Sequence, residues 1–451
     1  MVKMKDGNVD ERARSPWTPL KGVQQVAIAP SSKKIDGEVT IPGSKSLTNR
    51  AFIMSALAKG TSTLKGFLRS DDAYWCIDAL KKLGVSIDVD GDVAKVTGTG
   101  QKWSSDDLYI GAAGTVARFL PGSLVTANDG EWKIEASESM TKRPVAPLIE
   151  ALRSLGGHIT YEKKEGFYPL LIKGKPLDGG EVTLSGKISS QYISGLLIAG
   201  PYFKSPLKVS ITDHIVQHAY VRLTLDLMEA FGATVSYNEE LTEMTVSPSV
   251  YTPQDVTLEA DASTACYFFA LAALNNGRVR VTNVTVETKQ PDIEFLTILE
   301  KMGCTVTKGK TYVEVQGPAK LKGGFRISMR EMSDQTLTLA AMAPFADGPI
   351  TITEVEHIRY HESNRIKVMA DSLKALGIKV EEYQDGLKVY PGTPQGTTLD
   401  TYDDHRVAMS LALIGTQVSG VELVDPGCVS KTCPSFFDLL ATFGVNVIEK
   451  A

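Results

Sequence analysis

The segment TIPGSKSLTNRAF, residues 40 to 52, breaks an extended run at Pro42-Gly43 and sets Lys45, Ser46, Thr48 and Arg50 where a helix begins. A serine or threonine there satisfies orphan backbone donors and needs no ligand. A lysine in the first turn is different, because the positive end of the helix dipole repels cations and favours an anion. With Ser46 and Arg50 one turn apart on one face, the segment offers backbone amides, hydroxyls and two cations to one point, which suits a phosphate or a carboxylate. Ser44, not glycine, precedes Lys45, and the glycine spacing of a nucleotide P-loop is missing, so a nucleotide kinase is disfavoured. Plain capping and anion binding both account for this segment alone.

Similar junctions recur along the chain. GAAGTVARF (111–119) sets Gly111 and Gly114 before a helix containing Arg118, and MTKRPVAPL (140–148) sets Lys142 and Arg143 before a helix-starting proline. GKISSQYISGLL (186–197) offers Ser189, Ser190 and Gln191 together; capping explains one serine of that trio. EMSDQTLTLAAMAPF (331–345) has Asp334 at a helix entrance, and HIRYHESNRIKVMADSL (357–373) crowds His357, Arg359, His361, Glu362 and Arg365 into one loop. TYDDHRVAMSLAL (401–413) carries His405 and Arg406, and DPGCVSKTCPSFF (425–437) carries Lys431. Each alone reads most simply as a solvated turn. If helix starts in successive units point inward, however, Lys45, Arg50, Arg118, Arg143, Arg365, Arg406 and Lys431 surround one cleft, and so many cations call for a multiply charged ligand or two anionic molecules.

The elements that must position these residues repeat. DALKKLGVSIDV, EALRSLGGHITY, DLMEAFGATVSY, TILEKMGCTVTK, DSLKALGIKVEE and DLLATFGVNVIE share a glycine (Gly84, Gly156, Gly232, Gly303, Gly377 and Gly444) about every 70 residues. Each copy predicts a helix stopped by glycine and followed at once by a strand. Six small α/β units follow, grouped as two domains of three. The turn-rich stretch YTPQDVTLEADAS (251–263) supplies one crossing between domains and Pro42-Gly43 the other. The expected division is residues 23–42 plus 260–451 in one domain and 43–259 in the second, with the polar site in the cleft between them.

Composition bounds the rest. The 451 residues are 43% hydrophobic and 22% charged with a net charge of -5, enough for a large core and without the basic tracts that nucleic acid requires. The five cysteines are odd in number and scattered, which fits a reducing cytoplasm and neither a disulfide framework nor a zinc site. His214 and His218 have helical spacing but no nearby carboxylate pair, so a metal is not expected. No apolar run reaches membrane-spanning length, and residues 1–22 read as a disordered or extended segment.

In PGSKSLTNRA, SDD (70–72), AGT (113–115), RP (143–144), SSQY, DAS (261–263), HESNR, DHR and SKT (430–432), in that order, the chain resembles the EPSP synthases, the 3-phosphoshikimate 1-carboxyvinyltransferases, from about Val23 to Ala451. The resemblance implies an α/β fold of two domains, each of three βαβαββ units with pseudo-threefold symmetry. It implies enolpyruvyl transfer from phosphoenolpyruvate to the 5-hydroxyl of shikimate 3-phosphate, with phosphate released and no cofactor or metal. The partners are then these two small molecules, with no nucleic acid and no membrane, and the enzyme a cytoplasmic monomer.

Carried over position by position, the resemblance implies that Lys45, Ser46, Arg50, Ser189, Ser190, Gln191, Tyr220, Asp334, His357 and His361 hold shikimate 3-phosphate. Lys45, Gly114, Arg143, Gln191, Arg365, Arg406 and Lys431 would hold phosphoenolpyruvate, and Asp334, Glu362, Lys45 and His405 would serve proton transfer. A cation cluster favours Asp334 as base and Lys45 as acid, with the role of Glu362 left open. Four departures stand out: Ala112 where Asn is usual, Phe119 where Pro is usual, Gln217-His218 for a Ser-Lys pair, and His361 for Lys. The first two imply relative insensitivity to glyphosate, and the others a weaker or pH-dependent grip on the shikimate phosphate. The sister enolpyruvyl transferase acting on UDP-N-acetylglucosamine is the nearest rival, but it carries Asn after the opening Lys and a loop cysteine. Here Ser46 follows Lys45 and no cysteine lies between Cys76 and Cys266. A non-catalytic anion-binding homologue is the other alternative, disfavoured by the joint retention of Lys45, Asp334, Glu362 and Lys431.

Overall fold

In the computed structural model, which describes residues 10–450, the six repeated glycines all take left-handed backbone, with φ from +80° at Gly444 to +100° at Gly303. Side chains are strained in that region and glycine is not. Each closes a helix: Asp71–Lys82, Ala146–Ser154, Ala219–Ala230, Phe295–Lys301, Arg365–Ala375 and Phe436–Thr442. At the first, Gly84 donates to the Lys81 carbonyl at 2.9 Å and Val85 to the Leu80 carbonyl at 3.1 Å, which satisfies the last orphan acceptors and turns the chain into a strand.

The strands form six four-stranded sheets among the described residues, all on one plan. Asp107–Tyr109 runs parallel to Glu131–Glu135, which pairs antiparallel with Leu170–Lys173, itself antiparallel to His158–Tyr161. The parallel pair is joined through a helix and the antiparallel pair by the loop 162–169, giving the βαβαββ unit. The chain divides into two units, Met1–Pro42 with Ala260–Ala451, and Gly43–Glu259, each containing three sheets. Asp36–Val39 completes a sheet of the first unit beside Arg278–Val281, and Asp255–Thr257 completes one of the second beside Lys59–Lys65. Each crossing strand is thereby paired within its own unit.

Three helices fill the centre of each unit. In the second they are Lys45–Leu57, Val116–Val125 and Ser190–Ala199; in the first, Ala262–Leu274, Thr336–Met342 and His405–Gly415. Every residue of Ala262–Leu274 is buried, as its sequence ASTACYFFALAAL requires, because a helix apolar on all faces is stable only when enclosed. The amphipathic helices closed by glycine lie outside these and carry the sheets. No helix among the described residues is long and apolar enough to cross a membrane.

The amino-terminal expectation needs correction. Residues 1–9 lie outside the described residues, but 10–22 are neither disordered nor simply extended. Asp10 caps a short turn, Glu11–Ala13, and Arg14, Ser15 and Thr18 are buried. The Arg14 guanidinium donates to Asp403 at 2.6 Å and to Asp425 at 2.7 Å. Charge anchors this segment more than apolar area does, so its composition looked like that of a solvated tail.

Candidate active site

In the second unit Ser44 caps the helix Lys45–Leu57 by accepting from the Leu47 amide, so capping belongs to Ser44. Lys45 and Ser46 follow, half-buried, with no acidic residue in the first turn. Arg50 turns inward and is 1% exposed. It donates to Thr224 Oγ1 at 2.7 Å, to the Ser46 carbonyl at 2.9 Å, and at 3.4 Å to both Ser194 Oγ and the Tyr220 carbonyl. Its guanidinium lies 4.8 Å from the centre of the Phe119 ring. No carboxylate is among these partners, and burial lowers its pKa to about 10. Asn49 donates to Thr115 Oγ1 at 2.7 Å, which ties the starts of two central helices together.

The helix Val116–Val125 contains Pro121, which cannot donate to the Ala117 carbonyl one turn back. The Tyr168 hydroxyl supplies that bond at 2.6 Å, so the helix runs through the proline with its acceptor satisfied. Phe119, where a proline is usual in the resembled family, packs fully buried in the first turn. Arg118 is also buried and donates to the Gly114 and Pro144 carbonyls at 3.2 and 2.9 Å. Burial, and then the neighbouring Arg143, push its pKa down. Arg118 therefore joins the glycine loop to the Arg143 loop through their backbones. Arg143 lies directly against Gly114. In the third helix start, Ser189 caps by accepting from the Gln191 amide at 3.2 Å, Ser190 is buried and Gln191 is half-buried.

The first unit holds an ion network. Arg365, 1% exposed, donates to Asp334 Oδ1 at 2.8 Å, to Glu362 Oε2 at 2.9 Å, and to both oxygens of Asp404 at 2.8 and 3.1 Å. Arg406 meets the other Asp334 oxygen at 2.9 Å, and Lys431 Nζ lies 3.6 Å from Glu362 Oε1. Burial opposes the charge on Arg365, but Asp404, Glu362 and Asp334 together outweigh it and raise its pKa. Arg406 is likewise raised against burial, chiefly by Asp334. Asp292, beneath, has its carboxyl raised by burial and then by Asp334, and accepts from Ser263 and Gln335, both at 2.7 Å.

The histidines fall around this network. His357 Nε2 and Ser333 Oγ are 2.8 Å apart. Arg365 Nη1 lies 3.1 Å from His361 Nδ1, and burial followed by Arg365 holds the His361 pKa well below its usual value. His405 is fully buried with Nδ1 3.8 Å from Asp404 Oδ1, so it meets the network from behind.

The predicted residues thus gather in two sets. Lys45, Ser46, Arg50, Gly114, Arg143, Ser189, Ser190, Gln191 and Tyr220 sit at helix starts of the second unit; His357, His361, Asp334, Glu362, Arg365, His405, Arg406 and Lys431 sit in the first. Sequence reading missed Asp404, Asp292 and the bridging role of Arg118. Asp404 looked like an ordinary cap, and it does accept from the Arg406 amide at 3.0 Å. The cation count also overstated the demand for anions in the first unit, where Arg365, Arg406 and Lys431 face Asp334, Glu362 and Asp404. The excess positive charge lies in the second unit, on Arg50 and Arg118.

The family profile described as EPSP synthase (3-phosphoshikimate 1-carboxyvinyltransferase) matches residues 30–440. The 3-phosphoshikimate 1-carboxyvinyltransferase 2 of Halalkalibacterium halodurans is 61% identical over 440 residues, covering 97% of this chain and 98% of that one. The 3-phosphoshikimate 1-carboxyvinyltransferase of Trichormus variabilis is 39% identical, covering 91% and 97%. The solved EPSP synthase of Acinetobacter baumannii superposes with a TM-score of 0.79 at 27% identity, over 94% of this chain and all of that one.

Proposed function

The chain belongs to the EPSP synthase family, and on that premise we propose that it transfers the enolpyruvyl group of phosphoenolpyruvate to the 5-hydroxyl of shikimate 3-phosphate. The observation that carries this reading is the Asp334 carboxylate held between Arg365 and Arg406, with Glu362 spanning Arg365 and Lys431. The shikimate oxygen attacks C2 of the enolpyruvyl group, its proton leaves to a base, and the methylene carbon gains a proton. The resulting tetrahedral adduct expels phosphate and loses a proton from the same carbon. The steps are redox-neutral, so acid-base groups and fixed cations suffice.

Asp334, ion-paired with Arg365 and Arg406, takes the hydroxyl proton. Lys45 supplies the methylene proton, with Glu362 exchanging protons through Lys431. His405 acts on Asp404 and not on substrate. Arg50, with no carboxylate among its described partners, Ser46, Ser189, Ser190, Tyr220, His357 and His361 serve shikimate 3-phosphate. Gly114, Arg143, Gln191, Arg365, Arg406 and Lys431 serve phosphoenolpyruvate. Holding two anions together converts a bimolecular step into an effectively unimolecular one.

We also assign the activity to a monomer in the cytoplasm, the compartment that five free, buried thiols suit, and read the protein as relatively glyphosate-insensitive on account of Ala112 and Phe119. The test of the reaction is phosphate release. With both substrates the protein releases phosphate and enolpyruvylshikimate phosphate in equal amounts; with either alone it releases none; Lys45→Ala loses at least about 100-fold. A wild-type protein releasing no phosphate from the pair overturns the reading.

A further inference from the structure

Residues 10–22 lie on the two segments that deliver Arg406 and Lys431. Arg14 bridges Asp403, next to the cap residue Asp404, and Asp425, which opens the short helix Pro426–Lys431. Thr18 Oγ1 is 3.4 Å from Ser430 Oγ, adjacent to Lys431, and Gly427 lies under the Leu20 carbonyl. The Asp425 amide donates to the Gln24 carbonyl at 2.8 Å, continuing the contact into the first strand. Both bridged acids sit in left-handed backbone, Asp403 at φ +55° and Asp425 at φ +52°, a conformation that asparagine and aspartate tolerate better than other side chains. Two such loops do not hold their shape by local preference alone.

We propose that Arg14 is a positioning residue for the phosphoenolpyruvate half of the site: the amino-terminal segment straps the 401–404 and 425–431 loops together and neutralises Asp403, leaving Lys431 to Glu362 and substrate. Lys431 is close enough to Asp403 to lower that carboxyl's pKa, so the two already attract. Arg14 competes with that attraction with a 2.6 Å charged bond. Burial raises both carboxyls, Asp425 to about 7, and Arg14 pulls both down. Without Arg14, Asp403 and Asp425 repel each other, and among the described residues Lys431 is the nearby cation left to neutralise Asp403.

This inference rests on the proposed reaction, so its test pairs kinetics with a readout independent of turnover. In the full chain, Arg14→Met raises the KM for phosphoenolpyruvate about tenfold with kcat within about threefold, and Arg14→Lys stays within about threefold of wild type on both. Arg14→Met/Asp403→Asn, lacking the competing carboxylate, returns the KM to within about threefold. By hydrogen exchange, Arg14→Met opens the amides of Asp404, Thr432 and Cys433 at least about tenfold faster while the helix Ala262–Leu274 is unchanged. An unchanged KM in Arg14→Met, an equal defect in the double variant, or unchanged exchange in both loops overturns the proposal. Inactive wild type would fail the reaction alone, and the exchange result would then decide this inference. Should Arg14→Met not fold, a folded double variant with normal KM supports it, and failure of both to fold overturns it.

Discussion

A Cβ added to Gly114 would lie 2.8 Å from Nη1 of Arg143. That atom ends a flexible side chain, so a methyl group here moves the guanidinium and leaves the backbone intact. Gly114→Ala therefore melts within about 2 °C of wild type, while its KM for phosphoenolpyruvate rises about tenfold and kcat changes less. Glyphosate inhibition of wild type and variant, measured beside it, tests the insensitivity reading. A wild-type inhibition constant well below the phosphoenolpyruvate KM would contradict that reading.

Asp334 offers a second separation of roles. Asp334→Asn keeps the shape and loses the proton acceptor, so kcat falls about 100- to 10,000-fold. Two arginines also lose a counter-ion, and the side chain is 15% exposed, so melting should fall as well. Loss of melting temperature with kcat preserved would make Asp334 structural only.

The fold was legible because its punctuation is local: a helix needs its stop residue within a few positions, and six glycines spelled six stops. The first turns of the central helices were legible for the same reason. Partnership between distant residues was not. Arg14 reads as one charge in a polar tail, yet it finds Asp403 and Asp425 some 400 positions away. Asp404 reads as a cap and is also the bidentate partner of Arg365. Pro121 read locally threatens its helix, and only the fold brings up Tyr168 to take the free carbonyl.

That last contact has a measurable cost. Tyr168 is 2% exposed, and its hydroxyl takes the Ala117 carbonyl where Pro121 lacks its amide. Tyr168→Phe leaves a buried acceptor unpaired, which costs about 1–3 kcal/mol in urea unfolding. A loss under about 0.5 kcal/mol would show that the bond is dispensable.

Asp425 sets a pH dependence whose sign runs opposite to that of most aspartates. Its folded pKa is about 7, raised by burial above the ordinary aspartate value of 3.8, so the folded protein binds the proton more tightly than the unfolded chain. Its contribution is fully present below the unfolded pKa and is lost as pH rises through about 7, a total on the order of 4 kcal/mol. Asp425→Asn removes this titration, so between pH 4 and 8 its stability declines less steeply than that of wild type. Parallel slopes in chemical denaturation at stepped pH would refute the assignment.

Arg50 separates binding from stability. It is a buried cation whose described partners are hydroxyls, carbonyls and a ring, and burial lowers its pKa to about 10. Such a charge is expensive until an anion arrives. If Arg50 becomes Met, Thr224 and Ser194 still bond each other at 2.8 Å, and the Tyr220 carbonyl still accepts from Thr224 at 2.8 Å. Arg50→Met without substrate should therefore be as stable as wild type or up to about 2 kcal/mol more so. Saturating shikimate 3-phosphate raises the wild-type melting temperature by mass action, about 2.7 kcal/mol at 100 times Kd, and leaves the variant unmoved. A variant both less stable and still shifted by shikimate 3-phosphate would mean that Arg50 serves packing, and that the anion is held by Lys45 and the serines alone.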